Sequence, residues 1–177
     1  DSLSLHNDRQ YPMQSTYKFL LALAILDRVD KGILRLEQKV HIDKKDLRRS
    51  TWSPLRDKYP DGNIDITLKE LLQYSVSQSD NNACDVLFRL IGGPHKVQEY
   101  LLQHGIKDIS VKNTETEMAT AWQIQYDNWA RPSAMAALLR LFYQGKLLTP
   151  SSNDLLLRQM TESTNSDKRI KGMLAAG

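Results

Sequence analysis

Cysteine is nearly absent: Cys84 is the only one in 177 residues, which excludes an intramolecular disulfide and a cysteine-based zinc site. The four histidines, His6, His41, His95 and His104, form no i to i+4 pair and no His-Glu-x-x-His pattern, so neither a metal nor a cofactor is expected. Glycine and proline are sparse, at 8 and 6, and no tract is of low complexity, so nothing argues for disorder. Long apolar runs are also missing. The most apolar stretch, Leu20 to Leu26, is bounded by Lys18 and Asp27 and falls far short of the roughly 20 residues a membrane-spanning helix needs. Asp1 opens a polar segment without a charged n-region or apolar h-region, so any secretory signal is expected to have been removed or to lie outside these residues. Finally, there is little excess of one charge: 24 basic against 21 acidic residues leave +3, too little to imply a nucleic-acid partner. The one basic cluster, Lys44, Lys45, Arg48 and Arg49, is interleaved with Asp43 and Asp46. It has no aromatic platform and reads as a solvated face rather than a phosphate site.

What is present is well patterned. A chain of this length can bury about 70% of its unfolded surface as one domain, and 41% hydrophobic with 25% charged residues is ordinary for a globular protein. Ser15 to Asp30 is apolar on nearly all faces and predicts a helix surrounded by protein, closed by Gly32. Lys39 to Ile66, with Pro54, Pro60 and an Asp61-Gly62-Asn63 turn, reads as a surface excursion holding at most a short strand at Val40 to Ile42. Thr67 and Glu70 form a capping box for a helix from Leu68 to about Val76. A further helix begins near Asn81 or Asn82 and stops at Gly92-Gly93, and Pro94 starts another to about Gln103. Ile109 to Ala130 predicts an ordered loop with at most a helical turn, the kind of long loop that usually carries function. Helices return from Ser133 to Tyr143 and after Thr149-Pro150, where Thr can cap and Pro can sit in the first turn. The segment from Asp167 gives no clear signal. The chain therefore reads as one all-α domain spanning 1–177.

Ser15-Thr16-Tyr17-Lys18 places a hydroxyl and an amine three residues apart at the start of the buried helix, where i and i+3 are neighbours. Such a Ser is a nucleophile with an adjacent candidate base, because an apolar setting disfavours the ammonium and can lower the lysine pKa enough for the neutral amine to accept a proton. The helix N-terminus adds partial positive charge for a carbonyl oxygen. The bland alternative is a capping Ser with a snorkelling Lys. Ser79-Asp80-Asn81 lies in a polar break between two helices, where side chains can face a cleft; its bland alternative is an ordinary helix cap.

The two motifs in this order, about 60 residues apart, resemble the class A serine β-lactamases, which share Ser-x-x-Lys and Ser-Asp-Asn with penicillin-binding proteins. Tyr11-Pro12-Met13-Gln14, Asn82-Ala83-Cys84-Asp85 and Leu90-Ile91-Gly92-Gly93 resemble the extended-spectrum branch that holds the PER, VEB and CfxA types. The resemblance implies that Ser15 attacks the lactam carbonyl, with Lys18, or Glu115 through a water, taking its proton. Ser79 would relay a proton to the departing nitrogen, and Asn81 would bind the substrate's amide side chain. Glu115, in Asn113-Thr114-Glu115-Thr116-Glu117-Met118, stands where the family's omega loop (here 113–130) carries its deacylating glutamate; Glu117 is the rival. Asn128 would anchor the far end of that loop. Trp52 would line the cleft mouth, or pack on its own excursion. The chain departs from the commoner pattern with Thr116 where many members have Pro, and Ala119 where many have Asn.

The resemblance further implies the helical domain of the β-lactamase/transpeptidase-like α+β fold. No Lys-Thr-Gly or Lys-Ser-Gly triplet occurs, and Ser15 has only fourteen residues before it, so the sheet domain is expected to be missing at both chain ends. The chain alone is accordingly expected not to hydrolyse β-lactams, a point that turnover of a chromogenic cephalosporin would refute. The parent is expected to be a periplasmic or secreted bacterial monomer acting on small β-lactams. A transpeptidase or carboxypeptidase, a β-lactam sensor and a noncatalytic helical module are the competing readings, with Glu115 favouring hydrolysis.

Overall fold

A helix apolar on every side is stable only when other elements enclose it, and α1 (Tyr17–Asp30) is enclosed: each residue from Tyr17 to Leu26 is buried. A computed structural model describes residues 5–163. The segment from Asp167 to Ala175-Ala176-Gly177 and the opening residues around Asp1 lie outside the described residues. Around α1 pack α3 (Leu68–Ser77), α4 (Asn81–Ile91), α5 (Pro94–Gln103) and α8 (Pro150–Thr161). Phe19 meets Phe142 of α7 (Pro132–Tyr143) edge-on, with ring centroids 5.3 Å apart. Leu20, Leu21, Leu23, Ile25 and Leu26 are wholly buried, and each such side chain contributes roughly 1.5–3 kcal/mol of apolar transfer. That burial makes α1 a rigid platform for the residues at its first turn.

The local signals act as their chemistry requires. Thr67 Oγ1 accepts from the Glu70 amide, while the Glu70 carboxylate takes the Thr67 amide at 2.9 Å, and Asp80 caps α4. Gly92 closes α4 at φ +94°, a left-handed turn that suits glycine. Thr149 precedes α8 without capping it; its hydroxyl and amide both go to Asp30 at 2.7 Å, which fastens the end of α1 to the start of α8.

The all-α expectation needs correcting, because two small antiparallel sheets are present and the described fold is mixed. In one, β1 (Tyr11–Pro12), β5 (Trp129–Ala130) and β4 (Ile109–Ser110) lie in the order β1-β5-β4. In the other, β2 (Lys39–Ile42) pairs with β3 (Ile64–Thr67), from Lys39 opposite Thr67 to Ile42 opposite Ile64. Strands of two residues have no readable period, and β3 becomes a strand only because the chain returns to β2. The intervening excursion holds a short helix, α2 (Pro54–Lys58), capped by Ser53. Gly62 makes its return possible: at φ +62°, a Cβ there would lie 2.5 Å from the Lys44 amide nitrogen. Three residues of the basic cluster are ion-paired, Lys44 to Asp61, Lys45 to Asp43 and Arg48 to Asp85 at 3.1, 3.1 and 3.5 Å. Among the described residues no helix is long and apolar enough to cross a membrane.

Candidate active site

The site is built around one amine. Ser15 sits in a single 3-10 turn, Gln14–Thr16, that leads into α1, and the Thr16 amide and hydroxyl both bond the Met13 carbonyl, at 3.1 and 2.6 Å. Ser15 is exposed while Lys18, one turn on, is 2% exposed. Lys18 Nζ lies 2.5 Å from Asn81 Oδ1, 2.8 Å from the Ser79 carbonyl oxygen and 3.1 Å from Glu115 Oε1. It also lies 3.3 Å from both Ser15 Oγ and Ser79 Oγ. Both hydroxyls thus lie within hydrogen-bond reach of the same amine, beside an amide oxygen, a main-chain carbonyl and a carboxylate.

Ser79 reaches this position at a conformational cost. It follows α3 in the left-handed region, at φ +55°, where a non-glycine residue is disfavoured by about 1–2 kcal/mol. Gln14, just before Ser15, is also left-handed at φ +49°, so both sides of the cleft carry the backbone strain that concentrates at sites needing special geometry. Asp80 is fully buried, and its hydrogen bonds go to the start of α2 and to its own helix. It takes Ser53 Oγ at 3.0 Å, the Leu55 amide at 2.7 Å and the Ala83 amide at 2.8 Å, and burial raises its carboxyl above the ordinary range. The cap and the cleft readings of Ser-Asp-Asn thus describe different residues of one triplet.

Glu115 opens the short helix α6 (Glu115–Met118). Asp85 of α4 holds it, accepting the Glu115 amide at 2.8 Å and the Thr116 amide and hydroxyl at 2.9 and 2.5 Å. Burial raises the Asp85 carboxyl as well, with the Thr116 hydrogen bond opposing. Glu117 is turned back on its own helix, taking the Thr114 amide and hydroxyl at 2.7 and 2.9 Å. Of the two acids it is Glu115 that meets Lys18. Asn128 is wholly buried and joins the ends of the loop. Its Oδ1 accepts from the Lys112 and Asn113 amides at 2.8 and 2.9 Å, and its Nδ2 donates to the Asn113 carbonyl at 2.8 Å.

Trp52 is 56% exposed and donates through Nε1 to the Gln78 carbonyl at 2.9 Å. With Met13, Gln14, Ser15, Thr16, Ser79 and Asn81 it lines an open cleft of about 540 Å³, so it packs on the α3–α4 connection and borders the cleft at once. Behind the amine, Cys84 Sγ lies 3.5 Å from Tyr17 Oη, and burial pushes both the thiol and the phenol upward. Sequence reasoning missed the supports: Asp85 under Glu115, Thr51 against Asn81, and Arg56, whose Nη1 lies 3.0, 3.0 and 2.6 Å from the carbonyls of Arg48, Arg49 and Thr51. None carries a local signal, because each acts on a partner distant in sequence or on main-chain carbonyls.

The model of the beta-lactamase enzyme family matches residues 1–177. Beta-lactamase VEB-1 of Pseudomonas aeruginosa is 44% identical over 176 residues, which are 98% of this chain and 58% of that protein. Extended-spectrum beta-lactamase PER-1 of the same organism is 38% identical over 177 residues, 100% of this chain and 58% of PER-1. The solved structure of TLA-1 extended-spectrum beta-lactamase is similar at a TM-score of 0.95 and 50% identity, covering 99% of this chain and 63% of that one. A beta-lactamase from Chitinophaga pinensis DSM 2588 is similar at 0.96 and 49%, covering 99% and 65%. The chain thus spans less than two thirds of the length of these relatives. With the family matched along the whole chain and relatives this similar, the chain belongs to the beta-lactamase enzyme family, among its class A serine enzymes.

Proposed function

We propose that the full-length enzyme represented by this chain is a bacterial, exported hydrolase that opens β-lactam rings through an acyl-serine intermediate. The observation that carries the reading is the buried amine of Lys18, with Ser15 Oγ and Ser79 Oγ each 3.3 Å away and Glu115 Oε1 at 3.1 Å. In the first half-reaction Ser15 Oγ bonds to the lactam carbonyl carbon, and its proton goes to Lys18 or, through a water, to Glu115. The carbon–nitrogen bond of the ring then breaks as Ser79 gives its proton to the departing nitrogen and is reprotonated through Lys18 with the proton taken from Ser15, which leaves Lys18, Ser79 and Glu115 in their starting states. Asn81 binds the substrate's amide side chain. In the second half-reaction Glu115 takes a proton from water as the water oxygen bonds to the acyl carbon, and Ser15 leaves with its proton restored. The loop 113–130, pinned at both ends by Asn128, keeps Glu115 at the acyl group. The 177 residues alone contain no Lys-Thr-Gly triplet and are expected to be inactive.

The test is the lifetime of the adduct in the full-length enzyme after brief penicillin exposure, followed by mass spectrometry. The wild type should shed the adduct quickly, Glu115→Gln should retain it on the peptide bearing Ser15, and Ser15→Ala should form none. A wild-type adduct as persistent as that of Glu115→Gln would mark a sensor or transpeptidase instead. Adduct formation that survives Ser15→Ala would remove the nucleophile from the mechanism.

A further inference from the structure

The hydrogen bonds around Asn81 can be oriented without ambiguity. A lysine amine facing the carboxylate of Glu115 is a donor, so the Asn81 atom 2.5 Å from Lys18 Nζ is the amide oxygen. The amide nitrogen then faces Thr51 Oγ1 at 2.7 Å, and that hydroxyl accepts. An amide nitrogen carries two hydrogens. One is spent on Thr51, and Asn81 borders the cleft beside Ser15, Ser79 and Trp52, leaving the other for a ligand acceptor. The Asn81 backbone is held by the same segment, since its amide donates to the Trp52 carbonyl at 3.1 Å.

Thr51 in turn is held from outside the cleft. Residues 48–52 form an irregular connection that cannot satisfy its own carbonyls by a regular ladder. Arg56, in α2, approaches three of them with a single nitrogen, the closest being Thr51 O at 2.6 Å. Its Nε and Nη2 engage Asp57 Oδ1 at 3.0 and 2.6 Å, which turns Nη1 toward the loop. Asp80 anchors the following step by taking Ser53 Oγ and the Leu55 amide. A lysine at 56 would bring a point charge with no planar fork and could not hold the same set of partners.

We propose that Thr51 and Arg56 form a positioning unit for Asn81, in which the Thr51 hydroxyl fixes the carboxamide so that its remaining N–H meets the acceptor of an acylamino-substituted substrate, and Arg56 holds Thr51 in place. The proposal rests on the hydrolase reading above. It makes substrate side-chain recognition depend on two positioning residues outside the reacting set.

The test uses the full-length enzyme and two compounds: a penicillin with an acylamino side chain, and penicillanic acid, which lacks it. Thr51→Val keeps the side-chain shape and removes the acceptor. Its KM for the acylamino substrate should rise about fivefold to tenfold, the range of one lost neutral hydrogen bond, with kcat little changed, as expected for lost ground-state binding. Its KM for penicillanic acid should move less than about twofold. Thr51→Ser should restore most of the loss, and Arg56→Lys should reproduce the same selective defect in milder form. Thr51→Ala removes the same hydroxyl and carries the same expectation should Val not be accommodated. An equal loss on both compounds would reduce the unit to general stability, and unchanged KM values would remove it altogether. A wild type that turns over neither compound sinks the hydrolase reading and takes this proposal with it.

Discussion

Replacing Asn128 with alanine is the sharpest test of how the Glu115 loop is held. The side chain is wholly buried and makes three hydrogen bonds to main chain, with the Lys112 amide at 2.8 Å, the Asn113 amide at 2.9 Å and the Asn113 carbonyl at 2.8 Å. Each is worth about 0.5–1.5 kcal/mol net, and a main-chain group left buried without a partner costs about 1–3 kcal/mol. Water admitted into the small space vacated recovers part of this, so the expected loss is roughly 3 kcal/mol. In a full-length enzyme of about 300 residues, with an unfolding entropy of about 2.1 cal/mol/K per residue, that lowers the melting temperature by roughly 4–6 °C. Asn128→Asp should fall between the two, since a carboxylate still accepts from Lys112 and Asn113 but sets an oxygen against the Asn113 carbonyl. The assays are thermal melting and amide hydrogen exchange on the full-length enzyme, and exchange at Lys112 and Asn113 should accelerate first. An alanine variant within about 1 kcal/mol of wild type, with protection at those two amides unchanged, would refute the argument that this side chain closes the loop.

Other consequences are open to simple measurement. Ser79→Gly relieves the left-handed strain whereas Ser79→Ala keeps it, so the glycine variant should melt above the alanine variant by the equivalent of about 1 kcal/mol, while both lose turnover. Equal melting would show that the backbone at Ser79 is not strained. Burial raises the Asp80 carboxyl, so the folded state binds that proton more tightly than the unfolded state does. Its contribution to stability is fullest below the ordinary carboxylate range near pH 4 and is lost as pH rises through the elevated folded value. The melting temperature of wild type relative to Asp80→Asn should accordingly decline across that interval, and a difference that grows with pH would contradict the assignment. Cys84 is fully buried with its thiol pushed upward, so a thiol reagent should leave it unmodified in the native protein and label it once on denaturation. Rapid native labelling would place it elsewhere.

Much of the helical framework was legible because its signals are local. The Thr67 and Glu70 capping box, Pro94 and Pro150 at helix starts and the glycine at 92 act within one turn, and the predicted helices stand within a residue or two of those observed. Among the strands, the one at Val40 to Ile42 was legible, whereas two-residue pairs such as Tyr11–Pro12 were not, because they exist only by virtue of a partner across the molecule. Thr149 shows the same limit on a smaller scale: its type suits a cap, yet Asp30 at the far end of α1 takes the hydroxyl.

The site divides along the same line. Residue order alone determined that a hydroxyl and an amine share the first turn of a buried helix, since i and i+3 adjacency and an all-apolar helix follow from local geometry and hydrophobic pattern. Only tertiary packing decided what else meets that amine. The oxygens of Ser79 and Asn81 arrive from 61 and 63 residues away, brought by α3 and α4 lying against α1, and the carboxylate of Glu115 is selected over that of Glu117 by the grip of Asp85. The reason is physical: periodicity and capping are properties of neighbouring residues, whereas a shared proton position depends on distances that exist only once the helices have buried their apolar faces against one another.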